Sequence, residues 1–240
     1  VEPQSTGIGG DCFILYAPGG KAPLVAYNGS GRAPAAAQVE WFLAQGITAI
    51  ERHSPHAVTV PGAVDAWCRL VADHGRKELG ELLQPAIRYA AEGYVVHPRI
   101  AYDWSKDEKI LQRQESTRRI FLPNGVPLRA GERHCQPQLA QTLKTIAREG
   151  RDGFYGGAIA AEMVAYLNDL GGLHTLEDFV SAQGAYVEAI STTYRGFDVY
   201  KCPPNGQGIT DLLMLNILTG YDLAHYAAGY ADGTGNPTWI

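Results

Sequence analysis

The feature that most constrains this chain is a change of hydrophobic period. From Pro34 to about residue 170 the apolar residues recur at helical spacing, and past Thr175 the period becomes two. Val64, Trp67, Cys68 and Val71 stand at i, i+3, i+4 and i+7 after Pro61, and Gly75 closes that helix. Ala185-Tyr186-Val187-Glu188-Ala189-Ile190 and Phe197-Asp198-Val199-Tyr200 read as strands, with Tyr194-Arg195-Gly196 turning between them. A hairpin precedes the helices. Cys12-Phe13-Ile14-Leu15-Tyr16 runs out, Ala17-Pro18-Gly19-Gly20-Lys21 turns, and Leu24-Val25-Ala26-Tyr27 returns. Strands therefore flank a helical middle, and each edge strand needs a partner, because a bare ladder invites aggregation.

The other boundaries follow from turn chemistry. Pro34 suits a first helical turn and Gly46 its stop. Residues 78–93 read as two short helices with Pro85 opening the second, because a proline inside one helix costs about 3 kcal/mol. Residues 97–132 are charged and irregular, and read as a helix followed by a surface excursion through Pro123-Asn124-Gly125. Residues 137–150 form an amphipathic helix with Leu139, Leu143 and Ile146 on its apolar side. Residues 154–170 form another, ended by Gly171-Gly172. Thr175-Leu176-Glu177-Asp178 is an N-cap signature. A link, Pro203-Pro204-Asn205-Gly206-Gln207-Gly208, feeds a last helix over 209–218, and residues 231–240 read as loop.

Composition excludes several functions. The 240 residues are enough for one substantial core, and no domain linker or repeat shows. A net charge of -5 without a basic run argues against nucleic acid. No apolar run approaches the roughly 18 residues of a membrane span. Cys12, Cys68, Cys135 and Cys202 are scattered, with neither metal-ligand nor Cys-x-x-Cys spacing, and read as free and mostly buried thiols. The compartment stays open between cytoplasm and periplasm.

Nor do the residues assemble a familiar catalytic set. Gly7-Ile8-Gly9-Gly10 permits positive φ and close backbone approach, but it lacks the third glycine of a dinucleotide site. Asn205-Gly206-Gln207-Gly208 lacks the lysine of a phosphate loop. His53 and His56 are poorly spaced for a metal, and His134 beside Cys135 is a poor nucleophile–base pair. Asp103-Trp104 reads as a surface face. The candidate substrate contacts are Arg32, a guanidinium in a glycine-flanked turn, and Ser30 beside it. The plainer readings of these two are a solvated arginine and a turn-forming serine.

Five blocks, taken in order, carry a resemblance. Val1-Glu2-Pro3-Gln4-Ser5-Thr6-Gly7-Ile8-Gly9-Gly10-Asp11-Cys12 and Asn28-Gly29-Ser30-Gly31-Arg32-Ala33-Pro34 resemble the start of the γ-glutamyltranspeptidase large subunit. Val60-Pro61-Gly62 resembles the start of one of its helices. Pro85-Ala86-Ile87-Arg88-Tyr89-Ala90-Ala91-Glu92-Gly93 resembles another helix, and residues 190–208 resemble its strand pair and glycine link. That family belongs to the N-terminal-nucleophile hydrolases.

The resemblance implies an α+β fold, an αββα sandwich, of which residues 1–240 form the large-subunit region, incomplete at both ends. It implies a first strand and helix before Val1. It also implies a second, small subunit of the same proenzyme, whose freed N-terminal threonine attacks a γ-glutamyl or related acyl amide of a small-molecule substrate. No catalytic residue, metal or cofactor is assigned to this chain. Aligning on Ala33-Pro34 places Ser30 where the family's carboxylate-gripping arginine stands, with Arg32 two residues on, and Asp11 and Cys12 replace family glycines. These departures resemble a paralogous branch that includes acylases. The alternative is a catalytically inactive small-molecule-binding module of the same fold.

Overall fold

The computed structural model describes residues 2, 3 and 6–223, so the expected terminal loop at 231–240 lies outside the described residues. In chain order its elements begin with β1 (Cys12–Tyr16), β2 (Val25–Gly29), α1 (Val39–Ala44), α2 (Ala63–His74), α3 (Leu79–Glu92) and β3 (Tyr94–Val95). Then follow α4 (Pro98–Lys106), α5 (Glu108–Leu111), α6 (Glu115–Phe121), β4 (Arg133–His134), α7 (Pro137–Tyr155), α8 (Ala158–Asp169) and α9 (Leu176–Ser181). The last are β5 (Ala185–Val187), β6 (Ile190–Tyr194), β7 (Phe197–Lys201) and α10 (Gly208–Thr219). The described residues divide into two compact units: those up to residue 11 with 30–183, and residues 12–29 with 184–223.

The first unit is helical. Its core joins Val60, Val64, Ile87, Leu143, Ile146, Phe154 and Phe179, all buried, from α2, α3, α7, α9 and the segment before α2. Gly80 of α3 is where two backbones meet, since a Cβ there would stand 3.0 Å from the carbonyl oxygen of Ala147 in α7. That contact explains a departure from expectation. Residues 79–92 form one helix with Pro85 inside it, not two short ones. Packing along α7 offsets the amide that proline lacks, because most helical stability in a protein comes from the packed apolar face.

The α7–α8 boundary also differs. Gly150 takes φ 63° and ψ -141°, a break at the residue expected to end the helix. Residues 154 and 155 do not open the next helix; α8 starts at Ala158. Phe154 and Tyr155 are buried, and the Tyr155 hydroxyl donates to Pro61 O at 2.6 Å and accepts from the Asp65 amide at 3.1 Å. A side chain from α7 thus caps the Asp65 amide in the first turn of α2, where Gly62 has no side chain to do so. Asp65 is in turn paired with Arg151 at 2.8 Å.

Residues 97–132 are more ordered than expected. Helices α4, α5 and α6 close a small second core of Val96, Ile100, Trp104 and Leu128, with Phe121 against it. Trp104 is 1% exposed, which overturns its reading as part of a surface face. His134 lies among the rings of Trp104, Phe121 and Tyr94. The first helical turn expected at Pro34 is also absent. Residues 34–37 form a β-turn closed by Ala37 N–H to Pro34 O at 2.9 Å, and α1 begins at Val39.

The second unit is an antiparallel sheet in the order β1-β2-β5, a β6–β7 hairpin, and α10. The early hairpin forms as expected, with Cys12 opposite Gly29 and Tyr16 opposite Val25. The late strand expected over 185–190 is instead split: β5 pairs with β2, and β6 pairs with β7. The expected turn is present, with Arg195 at φ 50° and Gly196 at φ 83°, the two positive angles of a tight primed turn. Among the described residues no helix is long and apolar enough to cross a membrane, and no cluster of His, Cys, Asp or Glu has metal-holding geometry.

Candidate functional site

Residues 30–35 form a strap in the first unit, held by hydrogen bonds at Ser30, Gly31, Arg32 and Ala35. Asp11 accepts the Gly31 amide at 2.7 Å on Oδ1 and the Ser30 hydroxyl at 3.0 Å on Oδ2. The Arg32 carbonyl accepts from the Val60 amide at 2.9 Å. The Ala35 amide donates to Asp178 Oδ1 at 2.8 Å. Gly31 lies so close to the chain leading into α2 that a Cβ would fall 1.7 Å from Val60 O. Pro34 is buried.

The neighbouring segments are anchored in the same way. The Gly10 carbonyl accepts from the amides of Gly62 and Ala63 at 3.1 and 3.0 Å, joining the first glycine cluster to the start of α2. The tie is made by the Gly10 carbonyl alone; a Cβ at Gly10 would meet nothing closer than the Gly7 carbonyl oxygen at 3.9 Å, so the close approach expected of the cluster does not occur at this residue. None of Gly7, Gly9 or Gly10 adopts the positive φ expected of the cluster. On the other side, His174 Nε2 lies 3.0 Å from Val58 O, two residues before the amide that holds Arg32.

Asp178 has two roles. Its Oδ2 takes the Thr175 amide at 2.8 Å and the Thr175 hydroxyl at 2.7 Å, and the Thr175 hydroxyl accepts the Asp178 amide, completing the capping box of α9. Its other oxygen serves the strap. Burial alone would raise the Asp178 carboxyl, but the hydrogen bonds from Ala35 and Thr175 outweigh it and hold the group below the ordinary aspartate range. The capping role was legible in the Thr-x-x-Asp spacing. The bond to a residue 143 positions away was not.

Of the two residues singled out from sequence, Ser30 directs its hydroxyl at Asp11. Arg32 projects an exposed guanidinium, and no ion pair or side-chain hydrogen bond to it occurs among the described residues. A fixed backbone carrying an uncommitted guanidinium can grip a carboxylate with two parallel N–H···O bonds without ordering the chain first. A separate cleft of about 410 Å³ in the same unit is lined by Trp67, Leu83, Ala90, Leu139, Leu143 and neighbouring groups, with no arginine or lysine, and offers no such grip.

The thiols do not read as nucleophiles. Among the described residues none of the four cysteines forms a disulfide; three are half-buried and Cys135 is exposed, so the expectation of mostly buried thiols fails. Burial, then the Asp65 charge, pushes the Cys68 thiol up to about 11, and burial likewise raises Cys202. His134 is buried among aromatic rings, away from any base role toward the exposed Cys135.

The family model described as Gamma-glutamyltranspeptidase matches residues 1–235. The chain belongs to the γ-glutamyltranspeptidase family. It is 38% identical over 230 residues to the glutathione hydrolase-like YwrD proenzyme of Bacillus subtilis, covering 95% of this chain and 43% of that protein. Among solved structures it is similar to a cephalosporin acylase from Bacillus halodurans, with a TM-score of 0.85 and 38% identity over 92% of this chain and 42% of that one. It is also similar to Helicobacter pylori γ-glutamyltranspeptidase, with a TM-score of 0.84 and 28% identity over 95% of this chain and 66% of that one. The α+β, αββα expectation is thus borne out as the large-subunit part of this γ-glutamyltranspeptidase fold. The chain spans 43% of the length of the YwrD proenzyme and 32% of that of the Acylase ACY 1 proenzyme of Pseudomonas sp. (strain SE83), to which it is 37% identical over 73% of this chain.

Burial lowers the His134 and His174 pKa values, an effect that the Val58 hydrogen bond only partly offsets at His174. Above the ordinary histidine value near 6.5 neither folded nor unfolded chain is protonated there, and the full stability is present. As pH falls below that value the unfolded chain takes up protons first, so stability drops until the folded values are passed. Urea unfolding at pH 8.5, 7.5 and 5 should show a near-constant free energy between the first two. Between the last two it should fall, by at most about 1.4 kcal/mol per pH unit for each histidine. A flat profile down to pH 5 would contradict the neutral, buried state of both rings.

Proposed function

We propose that this chain is the large-subunit portion of an enzyme that cleaves or transfers a γ-glutamyl or related acyl group. In this reading the nucleophile is an N-terminal threonine of a second subunit from the same proenzyme. Its own amino group acts as general base, and backbone donors steady the oxyanion. This chain contributes one wall of the pocket, and Arg32 holds a carboxylate on the acyl group while Ser30 supports the strap beside it. The reaction requires neither metal nor cofactor. The observation that carries this reading is the uncommitted Arg32 guanidinium on a strap pinned at Gly31, Arg32 and Ala35. The chain is 38% identical both to a cephalosporin acylase and to a glutathione hydrolase-like proenzyme, so γ-glutamyl and related acyl groups both belong to the class a carboxylate reader would take.

The test uses the full proenzyme and two anilide donors, one whose acyl group bears a carboxylate and one without charge. Arg32→Ala should raise KM for the charged donor by roughly ten- to a hundredfold, the value of a lost charge-assisted pair. It should leave the uncharged donor unaffected. Arg32→Lys should recover only part of the loss, since an ammonium cannot reproduce the planar fork. Equal KM values for wild type and Arg32→Ala on both donors would remove Arg32 from the site. A processed, folded protein inactive on every amide would favour the binding-module alternative.

A further inference from the structure

The strap that carries Arg32 belongs to no helix or strand, so something must set where the guanidinium stands. At its first end the tie is local to the strap's own loop pair: Asp11 takes the Ser30 hydroxyl and the Gly31 amide. At its second end the tie comes from α9, through the single bond from Ala35 N–H to Asp178 Oδ1. The same helix start also reaches the other neighbour of the strap, because His174 contacts Val58 O and Val60 in turn holds the Arg32 carbonyl. Phe179, one residue after Asp178, is fully buried in the core and fixes the helix in place.

We propose that Asp178 is a positioning residue for Arg32. One of its carboxylate oxygens organises α9, and the other transmits the position of that helix to the strap, so that the guanidinium is presented at a fixed distance and plane. This rests on Arg32 being the carboxylate reader proposed above. A bidentate pair is sensitive to such placement, because the fork fixes both separation and orientation. Displacement of about 1 Å at a positioned group is enough to cost one to two orders of magnitude in an enzyme.

The helix cap and the strap bond can be separated experimentally. Ala35 occupies the second position of the 34–37 turn, a position that accepts proline, so Ala35→Pro removes the donor to Asp178 while leaving the capping box whole. Thr175→Val does the reverse, removing the hydroxyl of the box and leaving the Ala35 bond. In the processed proenzyme, Ala35→Pro should raise KM for the carboxylate-bearing anilide about tenfold with kcat little changed, and should leave the uncharged donor alone. Thr175→Val should lower the unfolding temperature without separating the two donors. Asp178→Asn, whose single oxygen can serve only one of the two partners, should fall between wild type and Ala35→Pro, and it carries the test if Ala35→Pro does not fold. If Arg32→Ala raises KM but Ala35→Pro and Asp178→Asn do not, Asp178 is a helix cap and nothing more. If Arg32→Ala itself has no effect, the parent reading fails and this inference fails with it.

Discussion

Gly31→Ala will destabilise the first unit by about 3 kcal/mol or more, the upper range for forcing an extra carbon into closed packing. The added Cβ would stand 1.7 Å from Val60 O and 2.8 Å from Val60 C, and both are backbone atoms that no rotamer change can move aside. Relief requires either the strap or the segment before α2 to shift. A shift of the strap breaks the Gly31 amide bond to Asp11 at 2.7 Å. A shift of the segment breaks the Val60 amide bond to Arg32 and displaces Val60 and Val64, which are 1% and 0% exposed. Urea unfolding should show a lower midpoint with little change in slope. A stability equal to wild type would mean that the strap does not lie against Val60. If the variant is stable enough to assay, KM for a carboxylate-bearing donor should rise, because Arg32 is the next residue.

Trp104→Ala should be comparably severe, at about 3–5 kcal/mol, the usual cost of emptying a buried tryptophan site. Trp104 fills the small core under α4, its ring centroid 5.5 Å from Phe121 and 4.9 Å from His134. Few other side chains there can collapse into the space, since among the described residues that core's other buried members are Val96, Ile100 and Leu128. Trp104→Phe should cost much less, about 1–2 kcal/mol, because the indole N–H has no hydrogen-bond partner among the described residues and nothing polar is stranded by its loss. Thermal unfolding of the two variants side by side would check the ranking, and a Phe variant as unstable as the Ala variant would show that the indole N–H is in fact bonded.

Much of the architecture was legible from spacing. The i, i+3, i+4, i+7 pattern after Pro61 and the stop at Gly75 correspond to α2, the Thr-x-x-Asp box to α9, and the Pro-Gly-Gly turn to the early hairpin. Errors fell where a distant residue overrode a local rule. Pro85 is tolerated because α3 packs along α7 at Gly80 and Ala147. Residues 154–155 stay out of α8 because Tyr155 is committed to Pro61 and Asp65. Trp104 looked exposed because its neighbours in sequence are charged, while its neighbours in space come from α6 and β4.

The candidate site divides along the same line. Arg32 could be picked out because a guanidinium between turn residues is the side chain that reads carboxylates, and Ser30 because it stands beside it. Local pattern also disclosed the cap at Asp178. What the residue order alone could not disclose is that Asp11, Val60 and Asp178 converge on one six-residue strap, as the bonds to Ser30, Gly31, Arg32 and Ala35 show. Helix and turn signals arise from neighbours within about four residues and are written in periodicity and caps. A hydrogen bond between residues 143 apart leaves no such trace, because it exists only once the helices that carry its ends have packed.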